Sequence, residues 1–261
     1  MPRSSKLQLL TATQAVQGQA QGALILDSRP PERFASFHIR GAVQITLAGS
    51  FASWAALLIK PSQKLILVAG SIPDVREAHI RLTRVGLGCV IGYALSDEAQ
   101  WRKEGIELAS ISIQRCADVR QVLQSNPSVQ LIDVRSRAEW LKGHLPGAIF
   151  VPLLDLDSGV QSIDISKPSL VYCRQGYRAT TATSILLRQS SGEFGILIDG
   201  FEGWSSLGLP LEVPNTKSSG QFSSSPLGPE PSIDCVFCPN FALRWSNSRP
   251  FCAMSREGDL E

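Results

Sequence analysis

One short loop holds the residues best suited to chemistry, because it places a cysteine beside two arginines. The thiolate of a cysteine is a nucleophile, and nearby arginines stabilise its negative charge. We therefore predict that Cys173 is a catalytic nucleophile, ionised near neutral pH, rather than a buried structural thiol. The residues that follow it are predicted to bind the substrate, and they are Arg174, Gln175, Gly176, Tyr177 and Arg178.

The residues of this loop are expected to have different roles. Gly176 is expected to permit the tight curvature of the loop or a positive φ. Arg178 stands where a helix is predicted to begin, which favours a part in binding the substrate or holding the loop. Arg174 is expected to point outward and raise the local positive potential, and Tyr177 to line the pocket entrance or cap the loop.

Two regular elements must position this loop. Residues 169–172 are typical of a short strand, and residues 178–189 are typical of a buried helix. A loop that leads into a helix N-terminus presents unpaired backbone N–H groups and the positive end of the helix dipole to an anion. We expect the nucleophile at the carboxyl end of a central strand, the usual ligand position in open α/β sheets.

The composition is that of a globular protein without a strong charge bias. The chain has 261 residues, 43% hydrophobic and 18% charged, with a formal net charge of +2. This balance gives no reason to expect a nucleic-acid or anionic-membrane partner. Because no apolar stretch reaches the roughly 18 residues of a membrane span, and the N-terminus lacks a long apolar core, we expect a cytoplasmic protein. The six scattered cysteines indicate individual thiols rather than a disulfide framework.

The chain contains an internal repeat. Residues 24–29 mirror residues 131–135, and residues 38–42 mirror residues 144–148. The two aspartates of the first match are 106 residues apart, and so are the two histidines of the second. Equal offsets over two separate motifs indicate a duplicated domain.

Each repeat alternates four predicted strands with four predicted helices, a pattern that favours a mainly parallel central sheet flanked by helices. The predicted fold is therefore α/β, with one domain at residues 1–109 and a second at residues 110–214. Residues 215–261 are predicted to be a Ser-, Gly- and Pro-rich linker and an irregular C-terminal tail.

Three cysteines, Cys235, Cys238 and Cys252, lie in this tail. Two cysteines separated by two residues provide half of a zinc site, and the third still leaves one ligand missing. Metal binding, a redox or sulfur-accepting thiol pair, and an unstructured tail all remain open. The remaining cysteines outside the loop, Cys89 and Cys116, are predicted to be core residues.

The first repeat lacks the nucleophile. Where the second repeat has Tyr172 and Cys173, the first continues from its strand into residues 68–76 without a cysteine. Its Pro73 contributes no N–H group, and Asp74 places a negative charge where an anion would otherwise bind. We therefore predict that the first domain is catalytically inactive, packs against the second, and helps to wall its substrate cleft.

These motifs resemble the rhodanese family of sulfurtransferases. The resemblance is carried by the cysteine loop together with residues 133–135, 139–140, 143–148 and 200–204, so that it spans nearly the whole second repeat. It implies two tandem rhodanese-like domains, of which the second is catalytic. It also implies a persulfide on Cys173, formed from thiosulfate or a persulfide donor and passed to cyanide, a thiol or another thiophilic acceptor. No cofactor and no metal are implied.

A narrower resemblance is to the tandem rhodanese region of metallo-β-lactamase and persulfide dioxygenase fusions. It is carried by residues 51–55 and 76–78. The metal-binding domain of those fusions has no counterpart, because the three histidines of this chain cannot supply its histidine-rich cluster. No iron chemistry is therefore carried over.

Polar residues near the loop are predicted to be structural. Asp133 and Arg135 follow a strand, where such side chains hydrogen-bond the local backbone and fix the turn. His144 has a counterpart, His38, in the repeat without a nucleophile. A histidine that recurs there is better explained as a structural hydrogen-bonding group than as a general base.

Three alternative functions remain open. The chain could be a persulfide-binding sulfur relay that reacts weakly with thiosulfate and delivers sulfur to a protein acceptor. It could be an arsenate reductase or phosphatase, although four residues separate Cys173 from Arg178, one fewer than in protein tyrosine phosphatases. It could also be a non-catalytic scaffold.

Overall fold

The computed structural model describes residues 7–214. The predicted linker and its three cysteines lie outside the described residues, and their alternatives stay predictions. The strands are β1 (Leu24–Asp27), β2 (His38–Ile39), β3 (Val43–Gln44), β4 (Leu65–Ala69), β5 (Val90–Leu95), β6 (Leu108–Ala109), β7 (Ile113–Gln114), β8 (Gln130–Asp133), β9 (Ile149–Phe150), β10 (Ser169–Tyr172) and β11 (Phe194–Leu197).

Helices alternate with these strands along the chain. Two short 3-10 turns, Leu153–Asp155 and Val160–Ser162, flank α8. The helices are α1 (Ala12–Ala20), α2 (Pro31–Ser36), α3 (Phe51–Leu58), α4 (Ile72–Arg84), α5 (Glu98–Lys103), α6 (Cys116–Ser125), α7 (Arg137–Leu141), α8 (Leu156–Gly159), α9 (Tyr177–Gln189) and α10 (Gly200–Ser206).

The strands form two main sheets, one in each repeat. The first has the order β3-β1-β4-β5 and the second β7-β11-β10-β8-β9, and every pairing within them is parallel. Strands β1, β4, β10 and β11 are buried throughout, as expected for a sheet covered on both faces. The predicted α/β fold with two tandem domains is confirmed.

The register of the two sheets aligns the repeats residue by residue. Val68 lies opposite Asp27 in the first sheet, and Tyr172 lies opposite Asp133 in the second. Because each pair occupies the same place in its sheet, the residue after Val68 corresponds to Cys173. That residue is Ala69.

Several short elements were not predicted. Strands β2 and β6 form a separate antiparallel pair, β7 adds a fifth strand to the second sheet, and α5 precedes β6. The predicted burial of Cys116 is confirmed, but the prediction for Cys89 is wrong, because Cys89 is exposed. It comes just before β5, a strand at the edge of the first sheet, where fewer neighbours cover it.

Helix α9 joins the two domains. Its residues from Ala179 to Leu186 are all buried, and it packs both on its own sheet and on β3 of the first domain. Gln44 of β3 is fully buried; its backbone N–H donates to Ser184 Oγ at 3.0 Å, and its side-chain oxygen accepts from Thr181 Oγ1 at 3.4 Å. The helix that follows Cys173 is therefore fixed partly by the first domain.

None of the helices within residues 7–214 combines the length and the apolar character needed to cross a membrane.

Candidate functional site

Cys173 lies where the sequence placed it, directly after β10. This strand is central in the second sheet, between β11 and β8. The cysteine is only 1% exposed, and the four strand residues before it are buried as well. The thiol therefore lies beneath the surface at the carboxyl end of the sheet, with the loop to α9 above it.

Backbone hydrogen bonds tie one side of the loop to α10. The carbonyl of Cys173 accepts from the N–H of Phe201 at 2.8 Å, and the carbonyl of Arg174 accepts from Glu202 at 3.1 Å. Within the described residues, the backbone N–H groups of residues 174–179 donate to no acceptor. These carbonyls already accept hydrogen bonds, whereas the N–H groups have no acceptor. The loop can therefore donate several hydrogen bonds to an anion at the start of α9.

Two glycines make this geometry attainable. Gly176 caps α9 with φ +86°, and a Cβ atom there would lie 2.6 Å from the carbonyl oxygen of Ile198. Gly200 begins α10 with φ +58°, and a Cβ atom there would collide with the carbonyl oxygen of Cys173. Both positions need a left-handed backbone and a missing side chain, so the predicted conformation of Gly176 is present.

Arg178 is held by a carboxylate of α7. Its two terminal nitrogens donate to the two oxygens of Glu139, each at 2.7 Å. Glu139 also accepts from the N–H of Ser136 at 3.0 Å. This bidentate pair connects the first turn of α9 to α7. In this geometry Arg178 holds the loop, and its predicted part in binding the substrate stays a prediction.

This ion pair shifts the pKa values of both partners. Burial alone would raise the pKa of Glu139, but the hydrogen bonds and charge of Arg178, with the bonds from Ser136, lower this pKa to about 2. Burial would lower the pKa of Arg178, but its hydrogen bonds to Glu139 and its electrostatic interactions with Cys173 and Glu139 raise it above its usual value. Both groups are thus charged at neutral pH.

Arg174 and Gln175 contact α10 rather than the interior of the loop. Arg174 Nε and Gln175 Nε2 both donate to the carboxylate of Glu202, and hydrogen bonds from these two side chains lower the pKa of Glu202. The side chain of Arg174 is 65% exposed, in agreement with its expected outward direction. Tyr177 is exposed as well.

Asp133 and Arg135 are buried and form a network with Phe201 beside the cysteine loop. Arg135 pairs with Asp133 at 2.6 Å and donates to the carbonyl of Gly143 at 2.7 Å. Its guanidinium lies 4.0 Å from the ring centroid of Phe201, the residue whose N–H holds the carbonyl of Cys173. The structural interpretation of Asp133 and Arg135 agrees with this geometry, and the link through Phe201 was not foreseen.

His144 is also part of the framework. Its ring stacks on Trp140 with centroids 3.4 Å apart and planes 9° apart. Its Nε2 lies 3.7 Å from a carboxylate oxygen of Glu212. His38 of the first domain stacks in the same way on Phe34, at 4.0 Å. The recurrence of this stacking in both domains accords with a structural role.

The corresponding loop of the first domain is closed by its own side chains. Ser71 caps α4, and its hydroxyl donates to the carboxylate of Asp74 at 2.7 Å. Only Gly70 stands between Ala69 and this cap, whereas two residues separate Cys173 from its helix cap Gly176. The first loop is thus one residue shorter and carries a carboxylate over its helix N-terminus.

A cavity of about 240 Å³ lies between the two domains, next to the cysteine loop. The first domain contributes Glu32 and Thr46 to its wall, and the second contributes Arg115, Gln175 and Tyr177. A water molecule occupies about 30 Å³ of liquid volume, so the cavity can admit an organic molecule of several heavy atoms. Both domains therefore contribute to the surface next to the cysteine loop.

Comparison with known proteins gives three findings. The profile of the rhodanese-like domain family matches residues 11–92 and 117–207. A sulfurtransferase of Allochromatium vinosum is 32% identical over 109 residues, which are 42% of this chain and 94% of that protein. An HTH-type transcriptional regulator of Mycobacterium tuberculosis is 32% identical over 85 residues, 32% of this chain and 38% of that protein.

One solved structure with detectable similarity is that of a thiosulfate sulfurtransferase. The thiosulfate sulfurtransferase of Pseudomonas aeruginosa is 20% identical, with a TM-score of 0.37, over 80% of this chain and 44% of that chain. This chain therefore spans less than half the length of that enzyme.

Proposed function

The chain belongs to the rhodanese-like domain family, and on that premise we propose that it transfers sulfane sulfur through a persulfide on Cys173. The observation that carries the proposal is the position of Cys173. It follows a central strand, inside a loop whose N–H groups have no acceptor among the described residues. Its substrates are a small-molecule sulfur donor and a thiol or cyanide acceptor, with a sulfur-accepting protein as an alternative acceptor.

The first half of the reaction loads the cysteine. The Cys173 thiolate attacks the outer sulfur of the donor and forms a new S–S bond with it. The old bond of the donor breaks, and its electron pair leaves on the remainder, which is sulfite from thiosulfate or a thiolate from an organic persulfide. No redox cofactor takes part in this displacement.

The second half returns the thiolate. An acceptor thiolate or cyanide attacks the outer sulfur of the Cys173 persulfide, and the electron pair of that S–S bond returns to Cys173. Loop N–H groups are suited to stabilise negative charge on the sulfur in both halves, since they are preorganised and remain unpaired. Arg178 supports this step by holding the loop through Glu139.

The proposal is tested by steady-state sulfur transfer to cyanide from thiosulfate and from an organic persulfide. Cys173→Ala should lower kcat by at least about a thousandfold, because no other group supplies the nucleophile. Cys89→Ala is the matched control, since this exposed thiol lies outside the loop and its loss should leave turnover unchanged. Full activity in Cys173→Ala would overturn the proposal.

One observation favours the sulfur-relay version of this function. Arg174 pairs with Glu202, Arg178 with Glu139, and Arg115 with Asp199. The arginines around the loop are thus neutralised, which weakens the attraction for a dianion such as thiosulfate more than that for an organic persulfide. A kcat/KM for an organic persulfide well above that for thiosulfate would support this version.

A phosphatase or arsenate reductase activity is the competing proposal on this fold. The cysteine loop is short, and its arginine is committed to Glu139 rather than free to bind a phosphoryl group. Hydrolysis of a chromogenic phosphoester that depends on Cys173 would favour that activity over sulfur transfer.

A further inference from the structure

We propose that the cavity between the domains selects sulfur compounds that carry an ammonium group, through the carboxylate of Glu32. This inference rests on the proposed function, and it names the class of organic thiol that donates or accepts the sulfur. The class is an aminothiol, either as its persulfide or as the free thiol. Both forms use the same cavity, because loading and unloading are the same displacement in opposite directions.

The charges on the cavity wall support this selection. The charged residues that line it are Glu32, Arg115 and Asp199. Arg115 and Asp199 neutralise each other through an ion pair at 2.9 Å. Among the described residues, the carboxylate of Glu32 accepts no side-chain or backbone hydrogen bond and forms no ion pair, so the charged groups of the wall sum to one negative charge. A cationic group in the cavity would be attracted, and an anion would be repelled.

Glu32 and the cysteine loop line the same cavity. Glu32 lies on α2 of the first domain and is exposed to solvent. Gln175 and Tyr177 of the cysteine loop contribute to the wall from the second domain. A molecule that spans the cavity would therefore direct its sulfur towards the loop and its ammonium group towards the first domain.

The size of the cavity agrees with an organic substrate. Its volume of about 240 Å³ far exceeds the volume of one sulfur atom, which is all that the buried thiol itself must receive. The inactive first domain would then contribute to specificity by supplying the residue that recognises the organic part of the thiol.

The test measures how three small thiols remove sulfur from the loaded full-length chain. Cysteamine carries an ammonium group, 2-mercaptoethanol is uncharged, and 3-mercaptopropionate carries a carboxylate. The protein is loaded with sulfur at Cys173, freed of excess donor, mixed with each thiol, and the loss of the bound sulfur is followed by mass spectrometry. Each thiol is compared between wild type and Glu32→Gln, so that its own reactivity cancels.

In Glu32→Gln the rate constant for cysteamine should fall by about two- to fivefold, the range of a partly exposed ion pair. The rate constant for 2-mercaptoethanol should not change, and that for 3-mercaptopropionate should rise. Added salt should weaken the preference of the wild type for cysteamine, because it screens this pair.

The control variant is Glu193→Gln, which removes an exposed carboxylate. Glu193 precedes β11, whereas the cavity residues Ile198 and Asp199 follow this strand. The control should change none of the three rates. An unchanged cysteamine rate in Glu32→Gln, or an equal fall with all three thiols, would overturn the proposal. A chain that never loads sulfur would be a different result, because it would remove the proposed function together with this inference.

Discussion

At the scale of single residues, the cysteine loop depends on a glycine that no other residue can replace. Gly176→Ala would place a Cβ atom 2.6 Å from the carbonyl oxygen of Ile198, in addition to the strain of φ +86°. We expect it to lower kcat by at least about tenfold and to destabilise the fold by more than about 2 kcal/mol. Sulfur transfer and denaturant unfolding of the purified variant measure both effects.

Gly147→Ala is the matched control. Gly147 also has a positive φ, of +69°, but a Cβ atom there would meet nothing within 4 Å. It should cost about 1 kcal/mol of stability through backbone strain alone and leave kcat within about twofold. If the two variants lost stability and kcat to the same extent, the close approach of residue 176 to the carbonyl of Ile198 would not matter for the site.

The ion pair of Glu139 and Arg178 should make the stability of the protein depend on pH. The folded state holds the pKa of Glu139 at about 2, against 4.5 for the free side chain. A carboxyl with a lowered pKa contributes stability above its unfolded value, and the contribution is lost as pH falls from about 4.5 towards 2. We expect Glu139→Gln to cost roughly 2 kcal/mol at pH 7, after allowance for partial exposure.

Denaturant unfolding of wild type and Glu139→Gln at pH 7 and at pH 3 measures this dependence. The difference in unfolding free energy between the two proteins should be smaller at pH 3. An equal difference at both values would show that the ion pair does not contribute through its charge.

At the scale of elements, the two strand-loop-helix units differ in loop length as well as in the nucleophile. Ala69 occupies the place of Cys173, but its loop is one residue shorter and Asp74 covers the helix N-terminus. Ala69→Cys in a Cys173→Ala background should therefore fail to load sulfur, as judged by intact mass. Loading of this variant would show that the missing cysteine alone makes the first domain inactive.

Most elements were predictable, and several short ones were not. The strand predicted at 169–172 matches β10, and the helix predicted at 178–189 begins one residue earlier as α9. Strand β10 has three consecutive apolar or aromatic residues, and α9 carries alanines and a run of Ile and Leu, which give a local signal. Two-residue strands such as β2, β6 and β7 have no such pattern, and they form only because the fold brings partners beside them.

The sequence offered candidate residues for the site but not their contacts. The composition of the loop predicted a nucleophile at Cys173, which stays a prediction, and a left-handed turn at Gly176, which is present. The partner of Arg178 is Glu139, 39 residues away, and Glu32 lies in the other domain. Such contacts depend on the packing of whole elements, for which a single sequence offers no local signal.

At the scale of the whole molecule, the two domains share one core, and a second, smaller cluster belongs to the second domain alone. A single cluster of buried apolar side chains contains residues of both repeats, among them Leu67, Val171 and Ile185, and α9 lies between the two sheets. Calorimetry should therefore show one cooperative unfolding transition for the described residues. Two separable transitions would contradict a shared core.

A core variant of the first domain tests the same coupling. Leu67→Ala removes a side chain with 0% exposure and should cost about 3 kcal/mol. Because the core is shared, the variant should lower the midpoint of the whole transition rather than split it.

Intact-protein mass spectrometry would detect a persulfide on Cys173 as a gain in mass. Wild type incubated with an organic persulfide or thiosulfate should gain one sulfur, about 32 mass units, and lose it on addition of cyanide. Cys173→Ala should gain nothing under the same conditions. A wild type that never gains sulfur from either donor, or a Cys173→Ala variant that gains it equally, would contradict the account.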